Sequence, residues 1–254
     1  MKKVNIDLLN PVQALSEFEK HFSRITYNRS TAEAFTDFIE YTFLMLNPFK
    51  KAQDFAELER KYPSKEEAVT LYQMLELLGA ASADFNDAMG DLFMDLVSHG
   101  HNGQFFTPGP VCDMIAQMTI KDQAKDGMTV LDCAAGSGRM LLAAAKLNRN
   151  MVFTACDVDN TCVKMAVINF MLNTMHGDVV WMNALTMEHF KTYRIGKVLI
   201  GTHYLPYYQV LDYNPTIVKR VVEATKKQED KPVEWPVGKT DEPVKNQVGQ
   251  LIMF

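Results

Sequence analysis

The sequence predicts an α/β fold in which a helical N-terminal domain precedes a parallel β-sheet with crossover helices. Two observations support this prediction. Apolar residues recur at helical spacing through residues 1–100, and from Met128 onward short apolar runs alternate with helical patterns. Alternating strand and helix patterns are typical of a parallel sheet whose strands are joined by helices.

The first 100 residues contain two capping-box patterns, Ser30–Glu33 and Ser64–Glu67, each of which predicts the start of a helix. Asn47-Pro48 predicts the end of the first of these helices. A third helix is expected where apolar residues share one face, at Met89, Leu92, Phe93 and Leu96. We interpret these apolar stripes as core packing rather than as a site.

The region from residue 101 to 226 is expected to form the sheet-containing core, followed by a flexible, charged and proline-containing tail over residues 227–254. The predicted strands are Met128–Asp132, Met151–Asp157, Val179–Asn183 and Lys197–Thr202. The predicted helices are Arg139–Leu147, Thr161–Asn173 and Thr216–Lys226.

Composition excludes several classes of protein. Of the 254 residues, 47% are apolar, enough for a sizeable core, but no apolar run reaches the roughly 18 residues of a membrane helix. The four cysteines form no CxxC pair, which argues against a disulfide framework or a zinc site and favours a reducing cytoplasm. A net charge of −5 argues against a surface that coats nucleic acid, although a local basic groove is compatible with it.

The segment TVLDCAAGSGRMLLAAA predicts a ligand-binding loop. A buried strand ends in Asp132, and Gly136-Ser137-Gly138 leads into a helix, so backbone N–H groups face any ligand there. Leu141 replaces the third glycine of a dinucleotide loop, and the lysine of a phosphate-binding loop is missing. The pattern suits a ligand with an amino-acid moiety, whose ammonium Asp132 or the loop carbonyls would hold. A purely structural turn would look alike.

The next two predicted strands also end in polar residues. Asp157 ends the second strand, where an acidic side chain can accept both hydroxyls of a ribose. The competing interpretation is helix capping, which we assign to Asp159 or Asn160. Asn183 ends the third strand, where its amide would either reach an adenine edge or serve the turn.

Four motifs in order resemble adenine-N6 DNA methyltransferases, above all the modification subunits of type I restriction systems and their solitary relatives. The resemblance runs from Gly103 to Tyr207. Its motifs read GQFFTPGPVCDMI, LDCAAGSGRMLLAA, DVDNTCVKMAVINFMLN and NAL. The second departs from the family pattern LDPACGSG, because Cys133 replaces proline and Ala135 replaces cysteine.

The resemblance implies a class I, Rossmann-like methyltransferase core, S-adenosyl-L-methionine as cofactor and DNA as partner. It implies cofactor contacts at Phe106, Thr107, Pro108, Asp132, Ala134, Gly136, Gly138, Asp157, Val158 and Asn183. The transfer needs no metal, because the sulfonium already activates the methyl group. Such an enzyme flips the adenine out of the duplex and aligns N6 with the methyl group.

In the family, an Asn/Asp-Pro-Pro-Tyr/Phe turn after the fourth strand holds the adenine. Here the corresponding turn is Tyr204-Leu205-Pro206-Tyr207, a degenerate version whose Tyr204, Pro206 and Tyr207 are the expected catalytic residues. In another register His203 or Thr202 takes the asparagine position, and Asn214-Pro215 is a lower-ranked candidate. Simple packing of these aromatic residues is the competing interpretation.

The resemblance also implies what this core lacks. Too few residues follow Pro206 for the three further strands of a complete methyltransferase sheet or for a target-recognition domain. We therefore expect a core that stops after the fourth strand, with an edge that a specificity subunit or a second copy covers.

The last five residues, Gln250–Phe254, resemble the peptide with which bacterial proteins dock onto the DNA-polymerase sliding clamp. The docking residues would be Gln250, Leu251, Met253 and Phe254. The alternative is a terminus that folds back onto its own core.

Three functions stay open at this point. The first is an active adenine-N6 DNA methyltransferase, and the second is a non-catalytic relative that binds S-adenosylmethionine or associates with DNA. The third is a methyltransferase for another substrate. The segment Gly103–Pro108 favours the first two, and the altered Tyr204–Tyr207 turn favours the second.

Overall fold

The computed structural model describes residues 6–98, 106–211 and 251–253. Eight α-helices and several short 3₁₀ turns lie in these ranges. They are α1 (Pro11–Ile25), α2 (Thr31–Met45), α3 (Ala56–Lys61), α4 (Lys65–Ala81), α5 (Ala88–Phe93), α6 (Gly109–Ile120), α7 (Arg139–Leu147) and α8 (Asn160–Leu172).

The helix starts follow the capping patterns in the sequence. Ser64 and Glu67 form a complete capping box at α4, and the Ser30 side chain accepts from the backbone N–H of Glu33 at α2. Both predicted helix starts are confirmed. The third predicted helix is also present, but it is shorter than expected, because α5 passes into a π-helix over Met94–Ser98.

Six strands form one sheet in the order β5-β4-β3-β2-β1-β6. They are β1 (Thr129–Asp132), β2 (Val152–Asp157), β3 (His176–Asn183), β4 (Glu188–Ile200), β5 (His203–Leu211) and β6 (Leu251–Met253). The first three pair in parallel and are joined by α7 and α8, so the predicted α/β crossover arrangement is confirmed.

The prediction of a parallel fourth strand over Lys197–Thr202 is wrong. These residues belong to the end of β4, which runs antiparallel to β3, and to the turn after it. Gly201-Thr202 is a two-residue hairpin turn in which Gly201 has a φ of +64°, and β5 returns antiparallel along β4. The chain therefore adds β4 and β5 on the β3 side of the sheet instead of crossing to the β1 side.

The expected four-stranded core is also corrected, because the hairpin and β6 extend the sheet. Leu251–Met253 pairs in parallel with β1, in the register Met253 to Asp132. The chain's own residues thus add a strand beside β1, and β5 and β6 are the two edge strands of the sheet. These three residues belong to the sheet rather than to a flexible tail, whereas residues 227–250 and the predicted helix Thr216–Lys226 lie outside the described residues.

The N-terminal helices share one continuous hydrophobic cluster with the helices and strands of the sheet region. On α2, Phe43 packs against Tyr193 of β4 and Tyr208 of β5, with ring centroids 5.4 and 4.5 Å apart. Lys164 of α8 forms an ion pair with Glu40 of α2. The predicted domain boundary at residue 100 falls outside the described residues, and the packing on either side of it is shared. None of the helices in the described ranges is long and apolar enough to cross a membrane.

Candidate cofactor site

Three polar side chains end neighbouring parallel strands at one edge of the sheet. Asp132 ends β1, Asp157 ends β2 and Asn183 ends β3. The carboxyl ends of parallel strands meet at the same edge, which is where open α/β sheets bind their ligands. The fold therefore places these three predicted residues at the same edge of the sheet.

The glycine loop connects β1 to α7 through two residues with positive φ, Gly136 at +55° and Gly138 at +87°. Gly138 occupies the N-cap position of α7 in a left-handed conformation. A Cβ atom at Gly136 would lie 2.8 Å from the ring of Phe106. Glycine is required at both positions because of backbone conformation and, at Gly136, also because of this close contact.

Asp157 joins the second strand to the glycine loop. Its carboxylate accepts from the backbone N–H of Gly136 at 2.8 Å and from that of Asp159 at 2.9 Å. Burial raises the pKa of Asp157, and these two N–H donors work in the opposite direction. The neighbouring Asp159 caps α8 by accepting from the backbone N–H of Thr161 at 2.6 Å, so its predicted capping role is confirmed.

Asp132 is the most deeply buried carboxylate at this edge. One oxygen accepts from the backbone N–H of Ala134 at 3.1 Å. Burial raises the pKa of Asp132 to about 6, the Ala134 N–H lowers it, and the nearby Asp157 raises it further. Two neighbouring carboxylates give this edge a negative potential that suits a positively charged ligand.

The segment 106–108, which precedes α6, packs against the glycine loop. Phe106 stacks on Phe93 of α5 with ring centroids 5.6 Å apart, while Thr107 and Pro108 are exposed. The carbonyl of Thr107 accepts from Arg139 Nη1 at 3.4 Å. The predicted segment before the first strand is thus brought to the loop, although Gly103–Phe105 lies outside the described residues.

Asn183 serves the turn after β3, because its Oδ1 accepts from the backbone N–H groups of Leu185 and Thr186 at 3.0 and 3.2 Å. This is the second of the two roles considered for it. Val158 and Leu185 follow the ends of β2 and β3 and are 59% and 96% exposed. Both side chains lie at the carboxyl edge of the sheet, where Val158 is one of the predicted contacts and Leu185 is the last residue of the NAL motif.

Two cavities adjoin the loop. The smaller, of about 80 Å³, is lined by Phe106, Thr107, Asp132 and the glycine loop. The larger, of about 330 Å³, lies among α5, α6 and α7 and shares Cys112 and Arg139 with the smaller one. The larger volume lies in the range of small-molecule sites. Of the predicted cofactor contacts, the smaller cavity is lined by Phe106, Thr107, Asp132, Ala134 and Gly136.

The fold does not bring the predicted catalytic turn to this site. β4 begins beside the carboxyl edge, where Glu188 pairs with Asn183, and then runs away from it. Tyr207 of β5 pairs with Gly196, which lies eight residues further along β4. At the usual rise per residue this separates Tyr207 from the row of Asn183 by roughly 26 Å, and Tyr204, paired with Leu199, by roughly 36 Å. Pro206 pairs with Lys197 between them. β5 is also four strands from β1, roughly 19 Å across the sheet.

The lower-ranked candidate has a more favourable chain direction. β5 runs parallel to β1, β2 and β3, so it ends at Leu211 pointing towards the carboxyl edge. Asn214-Pro215 follows three residues later in the sequence and lies outside the described residues.

A glycine loop after the first strand, an acidic residue at the end of the second and crossover helices between parallel strands form a Rossmann-like arrangement, which class I methyltransferases share. The family model of the N-6 DNA methylases matches residues 85–230, more than half of the chain. The chain therefore belongs to the N-6 DNA methylase family, as the motif resemblance predicted. The match begins at Phe85, just before α5 and earlier than the first of the four motifs.

Two solved structures are similar to this chain at low identity. One is the methyltransferase subunit of a type I restriction-modification system from Streptococcus thermophilus, with 13% identity and a TM-score of 0.44 over 66% of this chain and 57% of that one. The other, from Listeria monocytogenes, is described as a class I S-adenosylmethionine-dependent methyltransferase, with 17% identity and a TM-score of 0.44 over 66% and 52%. The chain thus spans little more than half the length of either structure. No curated protein matches it.

Proposed function

We propose that this chain binds S-adenosyl-L-methionine at the glycine loop and acts with DNA as a non-catalytic member of its family. The observation that supports this most is the hydrogen bond from the Gly136 N–H to Asp157, which joins the loop to the acidic end of the second strand. The predicted catalytic residues Tyr204, Pro206 and Tyr207 lie on a hairpin that leads away from that edge.

The residues at the site fit this cofactor. Asp132 suits the positively charged ammonium of the amino-acid moiety, and Asp157 is the residue we propose for the ribose hydroxyls. The exposed side chains of Val158 and Leu185 suit an adenine ring. Backbone groups at Ala134, Gly136 and Gly138, together with Phe106–Pro108, would line the remainder of the cofactor site. When bound, the cofactor supplies an electrophilic methyl group.

The hairpin cannot supply what N6 transfer needs at this site. Adenine N6 must lie in line with the methyl group at near-contact distance, with acceptors on its amino hydrogens. An adenine stacked on Tyr204 or Tyr207 would be tens of ångströms away, on the order of the strand lengths involved. This separation favours the non-catalytic function over the active one.

Isothermal titration of the intact chain with S-adenosylmethionine tests the proposal. We expect one-site binding, and methyl transfer to unmethylated genomic DNA at the background level. Absence of binding heat, with no thermal shift either, would end the proposal.

An active methyltransferase is the second candidate, and a specific observation favours it. The family match continues to residue 230, past Asn214-Pro215, and β5 points towards the carboxyl edge. If Asn214 supplied the amide acceptor, the intact chain would methylate DNA and Asn214→Ala would abolish transfer without weakening cofactor binding. Equal, background-level transfer by both proteins would exclude this candidate.

For partners, we propose DNA together with a separate recognition subunit or a second copy of this chain. Membership of the N-6 DNA methylase family supports DNA, and the motif resemblance to type I modification subunits over Gly103–Tyr207 supports a recognition subunit. We further propose that the protein works in the cytoplasm, since all four cysteines are free thiols and three are buried. A mobility-shift assay with unmethylated DNA, with and without candidate recognition subunits, tests the proposed DNA binding.

Docking of Gln250–Phe254 onto a sliding clamp has only its sequence pattern as support. Leu251–Met253 pairs with β1, so docking would require these residues to leave the sheet. Deletion of residues 250–254 should abolish capture of the chain by immobilised clamp. Capture that is unchanged by the deletion, or absent from the intact chain, would end this idea.

A further inference from the structure

A buried carboxylate outside the predicted site is bonded to the glycine loop. Asp87, at the N-cap of α5, is 4% exposed, and its two oxygens receive four hydrogen bonds. Oδ1 accepts from the Gly90 backbone N–H at 2.9 Å and from Asn169 Nδ2 at 2.7 Å. Oδ2 accepts from Ser137 Oγ at 2.5 Å and from Arg139 Nε at 2.7 Å.

The donors show what this carboxylate holds. Ser137 lies between the two positive-φ glycines of the loop, and Arg139 is the first residue of α7. Asn169 of α8 also donates from Nδ2 to the backbone carbonyl of Ser137 at 2.9 Å. The middle residue of the loop is therefore fixed through both its side chain and its backbone, and the side-chain partner comes from 50 residues earlier in the chain.

Arg139 extends the same network to the segment before the first strand. Besides Asp87, it donates from Nη2 to Asp91 at 2.5 Å and from Nη1 to the carbonyl of Thr107 at 3.4 Å. Burial disfavours the charged form of Arg139, but the two carboxylates more than compensate and raise its pKa. Through Arg139, Asp87 thus also helps to position Thr107 in the segment that packs against the loop.

The close approach of α5 to the loop depends on Gly90. A Cβ atom there would lie 2.1 Å from Asp87 Oδ2 and 2.7 Å from Ser137 Oγ. Any larger residue would separate the carboxylate from the loop. The sequence Asp87-Ala-Met-Gly90 is therefore matched to Ser137, although nothing in its local pattern shows this.

A buried carboxylate is stable only when its acceptor sites are filled, so the four donors and Asp87 fix one another's positions. A loop fixed before the ligand arrives binds it more tightly, because less ordering has to occur on binding. We propose that Asp87 is a positioning residue for the cofactor loop: it holds Ser137 and Arg139 so that the loop N–H groups and Asp157 face the ligand. This inference rests on the proposed binding of S-adenosylmethionine.

The test compares Asp87→Asn with Asp37→Asn in the full chain. Asp37 is a matched control, because it is 6% exposed and its carboxylate accepts from Lys61 Nζ and Tyr62 Oη among the N-terminal helices. Each variant loses a buried charge, so we expect both to unfold at lower temperature. Titration with S-adenosylmethionine well below both unfolding temperatures should show at least tenfold weaker binding for Asp87→Asn and less than twofold change for Asp37→Asn.

A second readout does not depend on the ligand. Amide hydrogen exchange in the segment 133–140 should be faster in Asp87→Asn than in the intact chain and unchanged in Asp37→Asn. If Asp87→Asn does not fold, Ser137→Ala removes the contact from the loop side at smaller cost. It should show faster exchange in the same segment and at least threefold weaker binding.

The outcomes separate this inference from the proposed function. If the intact chain binds S-adenosylmethionine and Asp87→Asn or Ser137→Ala binds within twofold of it, the positioning role is overturned and the cofactor proposal stands. If Asp37→Asn weakens binding as much as Asp87→Asn, the effect is general instability and the role is again overturned. If the intact chain shows no binding, the proposed function fails, and this inference fails with it.

Discussion

The two halves of the sheet differ in how they relate to the family pattern. The parallel half, β1 to β3, joins its strands through α7 and α8 and gathers the glycine loop, Asp132 and Asp157 at one edge. The antiparallel half, β4 and β5, is a hairpin that extends beyond β3 and carries the Tyr204–Tyr207 turn away from that edge. The residues proposed for the cofactor therefore lie together at one edge, whereas those predicted for the target base lie on a differently connected pair of strands.

The largest expected contrast is between one glycine in each half. Gly177 of β3 has a φ of +148°, and a Cβ atom there would lie 1.8 Å from the Phe153 carbonyl oxygen. Gly201 in the hairpin turn has a φ of +64°, and a Cβ atom there would meet nothing within 4 Å. Chemical denaturation should show that Gly177→Ala costs about 4 kcal/mol or more, whereas Gly201→Ala costs about 1 kcal/mol. Equal costs would contradict the different packing described for the two halves.

The next effect is a pH dependence that Asp132 contributes in the parallel half. The pKa of Asp132 is raised from its ordinary value of 3.8 to about 6, so the folded protein retains a proton that the unfolded chain has lost. This group's contribution to stability is fully present below about pH 4 and is lost as pH rises to about 6. The loss amounts to roughly 3 kcal/mol for a shift of about two pH units.

The variant Asp132→Asn isolates that effect, because it removes the titration and leaves an acceptor for the Ala134 N–H. Stability measured between pH 4 and pH 7 should decline less in the variant than in the intact chain. Parallel pH profiles for the two proteins would show that Asp132 is not the titrating group.

Two neighbouring aspartates should separate binding from folding. Asp157→Asn should weaken S-adenosylmethionine binding by about 10- to 100-fold, the value of one charge-assisted hydrogen bond. Asp159→Ala removes the cap of α8 and should lower stability by about 1 kcal/mol with little change in affinity. Calorimetric titration and thermal unfolding of both variants check this. If Asp159→Ala weakened binding and Asp157→Asn did not, Asp159 would replace Asp157 as the proposed ribose-binding residue.

The smallest effects are expected on the hairpin. Tyr204 is 59% exposed and lies beside Lys197, whose ammonium is 5.4 Å from the ring centroid. Tyr204→Ala should change stability by about 0.5 kcal/mol or less and leave cofactor affinity unchanged. A large loss of affinity in this variant would place the hairpin near the site and break the comparison.

The parallel half was largely predictable from sequence because its signals are local. Short apolar runs ending in Asp132 and Asp157 predict β1 and β2 within one residue, and Arg139–Leu147 is predicted with its observed bounds. The glycines are recognisable because positive φ and close contact restrict these positions to one residue type.

The antiparallel half was not predicted because its apolar run belongs to a partly exposed hairpin strand and not to a buried parallel strand. Val198-Leu199-Ile200 resembles a buried parallel strand, yet Val198 is 37% and Leu199 56% exposed. A two-residue Gly-Thr loop between apolar flanks is itself a hairpin signal, and it is present at Gly201-Thr202.

The contacts of Asp87 were missed, and the fold-back of the C-terminal peptide was only an alternative, because both depend on contacts distant in sequence. Asp87 meets Ser137 and Asn169 only after α5, the loop and α8 have packed together. Leu251–Met253 is a short apolar peptide whose partner, β1, lies more than 100 residues earlier. No local periodicity reports such pairings.

The most direct test of the contrast between the halves is to incubate the intact chain with methyl-tritiated S-adenosylmethionine and unmethylated genomic DNA. Label held by the protein at equilibrium and label fixed in the DNA are then counted in the same sample. We predict stoichiometric label on the protein, strongly reduced in Asp157→Asn, and none above background in the DNA. Label fixed in the DNA, or no label on either, would contradict the account.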